Sequence, residues 1–184
     1  MSCAGGVQSY APVIGVTAHA GLVIYNRYRS RGKGDTMIRS AVATWRGSPA
    51  IGEGAVTTTS GVMSNALYSF GSATGNEPCT SPSEMLAAAV ASCVSLMVAQ
   101  ELAKAHLKYE HVKTEAVLTL QEKCGHWDVI GIEVHVSAPL PDRDAAKFQK
   151  AAKVAKGRCP ISRALKVPIA MSARLEPIEE PAFA

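Results

Sequence analysis

Five cysteines, Cys3, Cys79, Cys93, Cys124 and Cys159, are spread along the 184 residues. The number is odd and none forms a C-x-x-C pair, so neither a disulfide framework nor a zinc knuckle is expected. A cytoplasmic protein with a few functional thiols fits this usage better. Cys93 ends the run Ala87-Ala88-Ala89-Val90-Ala91-Ser92-Cys93. Side chains this small let another backbone approach closely, or leave room for a substrate beside the sulfur. A cysteine in an apolar helix also reads as a small core residue, and both readings stand at this level. Cys159 precedes Pro160, which places it at the N-cap or N′ position of a following helix. Free backbone N–H groups there lower a thiol pKa, and Lys156, Arg158 and Arg163 add positive potential. Local electrostatics therefore make Cys159 the more acidic of the two, the alternative being a capping or core cysteine.

The elements that hold these thiols are legible in outline. Ser81-Pro82-Ser83-Glu84 is a capping box, with serine at the N-cap, proline at the first helical position and glutamate at the third. It opens a long helix over about 82–105, and Cys93 lies twelve residues past its cap. The helix dipole fades within the first turn, so a Cys93 thiolate needs a separate cation. Short strands are predicted near 40–47, 53–60 and 65–71, punctuated by Gly47-Ser48-Pro49 and Ser60-Gly61. Val112, Thr114, Ala116, Leu118 and Leu120 alternate with polar neighbours, as do Ile130, Ile132, Val134 and Val136. Both segments have the period of a strand with one buried face. Their turn falls at Glu122–His126, with Trp127 expected in the core. A second helix runs over about 142–156, a short one begins at Pro160, and a last strand covers 169–175.

Composition narrows the function classes. Hydrophobic residues make up 47% and charged residues only 18%, so part of the surface is expected to be covered by a partner chain. Net charge is +4, of which residues 1–36 carry +3 through Arg27, Arg29, Arg31 and Lys33 against Asp35. The remainder lacks the basic face that nucleic-acid binding requires. The longest apolar run, Met85–Ala99, is 15 residues, short for a bilayer, so no membrane partner is expected. Residues 1–36 read as a flexible extension or leader, with Met37 as a natural start; a mobile arm and a transit peptide are the alternatives. Residues 37–184 form the domain.

Ser81-Pro82-Ser83-Glu84-Met85-Leu86-Ala87-Ala88-Ala89-Val90-Ala91-Ser92-Cys93 resembles the central-helix motif of the OsmC/Ohr family, the osmotically induced and organic hydroperoxide resistance proteins. Ala155-Lys156-Gly157-Arg158-Cys159-Pro160-Ile161-Ser162-Arg163-Ala164-Leu165 is similar to that family's second-cysteine motif. Trp45-Arg46-Gly47, Thr59-Ser60-Gly61-Val62 and Tyr68-Ser69-Phe70 resemble its N-terminal strands, and the OsmC branch is the nearer one. The resemblance implies an α+β fold with antiparallel sheets around a long central helix, in an intertwined homodimer. It implies a peroxidase in which Cys93 attacks a small organic peroxide and Cys159 resolves the sulfenic acid. A lipoyl-type dithiol would be the reductant, with no metal or bound cofactor.

The sequence departs from the family at the residues that activate the first cysteine. The family's glutamate position, ten residues before that cysteine, holds Ser83 here, and its arginine positions match Ile51 and Ala73. Arg46 and Glu84 are the nearest candidates for those supporting roles. Two alternatives follow. One is a dimer of the same fold with lost or altered chemistry that binds a small apolar ligand. The other is a thiol hydrolase pairing Cys93 with a histidine, for which no histidine is placed by a motif.

Overall fold

The computed structural model describes residues 37–48, 51–69 and 79–177; the expected leader, residues 1–36, lies outside them. The chain divides into two units, one ending at Ser81 and the other beginning at Pro82.

In the first unit, β1 (Ala41–Arg46) pairs antiparallel with β2 (Glu53–Thr58), and β2 with β3 (Ala66–Tyr68). Tyr68 lies over Gly54, where a Cβ would sit 2.3 Å from the Tyr68 ring, so only glycine fits there. Trp45 leans on the same tyrosine at 5.8 Å between ring centroids. Every residue of β1 is exposed.

The second unit carries α1 (Pro82–Lys104), β4 (Lys113–Lys123), β5 (His126–Pro139), a 3-10 turn (Asp142–Asp144), α2 (Ala145–Arg158), α3 (Pro160–Ala164) and β6 (Ile169–Glu176). Val90, Val94, Val98 and Leu102 recur every four residues and form the buried stripe of α1. By length and composition α1 is apolar enough to cross a bilayer, with a mean hydropathy of 1.7, although its longest unbroken apolar run is short. Here its stripe joins one core with Ile132, Val134, Val136 and Ala138 of β5 and Phe148, Ala151, Ala152 and Ala155 of α2. Each larger side chain of that core contributes about 1.5–3 kcal/mol of burial. A Schellman motif ends α1: the Leu107 N–H donates to Leu102 and the His106 N–H to Ala103, with His106 left-handed at φ 55. Buried Leu107 then packs with Leu102 in the same core.

Strand order is β4-β5-β6. One pairing departs from the antiparallel expectation: β6 runs parallel to β5. A parallel return needs a crossover, and α2 and α3 supply it. The β4–β5 hairpin is also tighter than its sequence indicates. The strands continue to Lys123 and His126, and Cys124 (φ 52) and Gly125 (φ 81) form a two-residue turn with both φ positive. Trp127 is 56% exposed, contrary to its expected place in the core. It lies on the hairpin arm beyond the register shift at Thr119/Leu120, where neither strand is buried. On the open face of the sheet the Ser137 hydroxyl donates to the Glu176 carboxylate, whose other oxygen is 2.8 Å from His111 Nε2.

Candidate active site

The structure brings together the two cysteines that the sequence singles out. Cys93 Sγ and Cys159 Sγ lie 2.8 Å apart across 66 residues of chain. A disulfide is about 2.05 Å long, so a bond between them needs no rearrangement of the elements that carry them. Both belong to the second unit. Cys93 is one residue from the buried Val94 and is itself half-buried on the flank of the α1 stripe. Cys159 is fully buried at the junction of α2 and α3. Its N–H donates to Ala155 as the C-cap of α2. Its sulfur accepts from the Ser162 N–H at 3.4 Å as the N-cap of α3, with Pro160 at the first helical position.

The two thiols differ in acidity. For Cys93, burial is the largest influence and pushes the thiol up; the hydrogen bond and charge of Cys159 push the same way, against a lowering by the Ile161 backbone. For Cys159, burial is again the largest single influence and pushes upward. Hydrogen bonds from Cys93, from Ser162 and from the Ile161 backbone outweigh it, so the thiol ends below its ordinary value. The ordering agrees with local electrostatics in the sequence, but its cause is different. The Cys93 thiol and the backbone N–H groups of Ser162 and Ile161 acidify Cys159, whereas Arg158 is turned to Glu101 at 3.1 Å, and Glu101 also holds Lys104 at 2.7 Å. Glu101 sits below its ordinary pKa chiefly through the Lys104 hydrogen bond.

The candidate supporting residues fall on different elements. Arg46 ends β1 in the first unit, on an exposed strand and in register with Glu53. Glu84 lies on the first turn of α1, nine residues before Cys93. Nine residues amount to about 13.5 Å of rise and two and a half turns, which puts Glu84 on the opposite side of the helix. Of the unmatched family positions, Ile51 is 77% exposed, Ser83 is on the first turn of α1, and Ala73 lies outside the described residues. Sequence reasoning passed over Ser162, whose spacing of three from an N-cap cysteine is the signal that finds it. It also passed over Glu101, for which the sequence carries no signal. Among the described residues, no three His, Cys, Asp or Glu side chains are grouped to hold a metal.

Comparisons with known proteins bear on the family and the fold. A family model described as OsmC-like protein matches residues 74–173, more than half of the chain. The peroxiredoxin OsmC of Escherichia coli is 29% identical over 141 residues, covering 77% of this chain and 99% of that protein. An OsmC-like protein of Vibrio cholerae superposes with a TM-score of 0.64 at 18% identity, covering 76% of this chain and all of that one. The organic hydroperoxide resistance protein OhrB of Bacillus subtilis superposes at 0.57 with 22% identity, covering 74% of this chain and 98% of that one. With its motifs, its α+β fold and its paired cysteines in place, the chain belongs to the OsmC-like protein family.

Proposed function

We propose that the protein is a thiol-dependent peroxidase that reduces organic hydroperoxides through Cys93 and Cys159. The observation that carries this reading is the sulfur pair, 2.8 Å apart with one member half-buried and the other enclosed. Acidity favours Cys159, but access favours Cys93, and a peroxide must reach the sulfur that attacks it. The Cys93 thiolate displaces alkoxide from the peroxide oxygen, giving a sulfenic acid, and the alkoxide leaves as the alcohol after taking a proton. Cys159 then attacks the Cys93 sulfur and expels water, closing the disulfide. A lipoyl-type dithiol returns both thiols and departs as its own disulfide. The names of the similar proteins, peroxiredoxin OsmC and organic hydroperoxide resistance protein, support the substrate class. We assign Arg46 and Glu84 to the supporting roles on sequence grounds, as a cation for the thiolate and its carboxylate partner. A second copy of the chain is the natural cover for α1, where Ala88, Ser92, Leu96 and Ala103 form an exposed stripe of small and apolar residues. A cytoplasmic setting, where thiols are kept reduced, suits a cysteine pair that a dithiol must return to the thiol form.

One equivalent of cumene hydroperoxide added to the reduced protein at pH 7 tests the proposal by intact mass. The expected result is a loss of about 2 Da, two hydrogens, localised to Cys93–Cys159 and absent in Cys93→Ser. Slow oxidation spread over all five cysteines sinks it. The second reading, a dimer of this fold that binds a small apolar ligand, is favoured by the raised Cys93 thiol and by Ile51 and Ser83 at the family's activating positions. Rapid, selective alkylation of Cys93 at neutral pH counts against it.

A further inference from the structure

We infer that Ser162 is a positioning residue for the return half of the cycle: it receives the charge on Cys159, so that an incoming dithiol attacks Cys93 and Cys159 departs as thiolate. The inference rests on the peroxidase reading of the sulfur pair.

Two observations carry it. The Ser162 N–H already donates to Cys159 Sγ at 3.4 Å. The Ser162 hydroxyl oxygen is buried and has no hydrogen-bond partner among the described residues. A buried hydroxyl without a partner is destabilising, and such a group asks for an explanation. A thiol is a poor acceptor, whereas a thiolate is a strong one. The hydroxyl belongs to the residue whose N–H already donates to Cys159, which places it beside that sulfur. It is therefore left over while Cys159 is protonated or bonded to Cys93, and becomes satisfied when Cys159 carries charge.

Access points the same way. Cys159 is fully buried and Cys93 half-buried, so an external thiolate reaches the Cys93 sulfur. In thiol–disulfide exchange the sulfur with the lower pKa leaves faster. The reductant thiolate, its proton given to solvent, forms a bond to Cys93 as the Cys93–Cys159 bond breaks, and the electron pair stays on Cys159. The second thiol of the reductant then attacks its own sulfur in the mixed disulfide, releasing Cys93 as thiolate and leaving the reductant as a cyclic disulfide.

The test forms the Cys93–Cys159 disulfide with diamide, without any peroxide, and follows its reduction by excess dithiothreitol at pH 7. Ser162→Ala is expected to slow reduction by about tenfold, the worth of one hydrogen bond to a charged acceptor, and Ser162→Thr to restore it. In a Cys93→Ser background, the pH midpoint of Cys159 alkylation moves upward in Ser162→Ala and returns in Ser162→Thr, a shift that a purely structural role does not produce. With a monothiol in place of the dithiol, the mixed disulfide is expected on Cys93. Unchanged rate and midpoint, or a mixed disulfide on Cys159, overturns the inference. A protein inert to hydroperoxide yet dependent on Ser162 in these assays sinks the peroxidase reading and with it the place of Ser162 in a catalytic cycle, whereas a protein that consumes hydroperoxide without any Ser162 effect overturns the inference alone.

Discussion

Removing Cys159 is expected to speed the first oxidation of Cys93 while abolishing turnover. In the reduced pair, the hydrogen bond and charge of Cys159 add to burial in holding Cys93 protonated. Replacing Cys159 by alanine takes both away. A hydrogen bond of this kind is worth about 1 kcal/mol net, or about fivefold in the ionised fraction of Cys93. Thiolate nucleophilicity falls as acidity rises, with a slope near 0.4–0.5, so about half of the logarithmic gain survives. The net expectation is a first oxidation about twofold to threefold faster at pH 7. The product stalls at the sulfenic acid, a gain of about 16 Da that dimedone captures, instead of a loss of about 2 Da. The substitution also removes the N-cap acceptor of α3, which costs about 0.5–2 kcal/mol in the urea midpoint. Stopped-flow oxidation under single-turnover conditions reads the rate. A first step tenfold slower in a folded Cys159→Ala protein refutes the reasoning and makes Cys159 the attacking thiol.

Four further outcomes are expected. Phe148→Ala, which empties a site 1% exposed in the core, is expected to cost about 3–5 kcal/mol by chemical denaturation. Cys124→Asn is expected to raise stability by up to about 1 kcal/mol and leave peroxide consumption unchanged, because asparagine tolerates the positive φ of that turn. His106→Gly is expected to stabilise the end of α1 by a similar amount, by relieving the left-handed position at the Schellman motif. Glu176 has its pKa lowered by the Ser137 hydroxyl first and by His111 as well. Its contribution is therefore present at neutral pH and is lost as pH falls through that lowered value; in Glu176→Gln the urea midpoint is expected to drop less between pH 7 and the acid range.

Much of the second unit was legible because its chemistry is local. The capping box at Ser81–Glu84 placed the start of α1 at Pro82, and alternation along β5 marked Ile132, Val134 and Val136 as core. What stayed hidden depends on distant partners. Nothing in residues 169–175 announces that β6 runs parallel to β5, since direction is set by the crossover that precedes it. Trp127 reads as core by its type, yet its burial depends on whether another layer covers that end of the hairpin. The candidate site divides in the same way. Two motifs mark Cys93 and Cys159 as a pair, but that hydrogen-bond donors rather than nearby cations acidify Cys159 depends on which way Arg158 turns. It turns to Glu101, and no spacing rule foretells a choice among surface carboxylates.

The 66-residue separation of the paired cysteines ties the redox state to mechanical endurance. Closing a loop of that length removes enough freedom from the unfolded chain to favour the native form by about 4 kcal/mol in the entropic account. Each oxidation would then staple α1 to the α2–α3 junction, and each reduction would release them. A pool starved of reductant would accumulate its most protease-resistant form, held ready for the next dithiol, while the reduced and reactive protein would be the one that cellular proteolysis samples first.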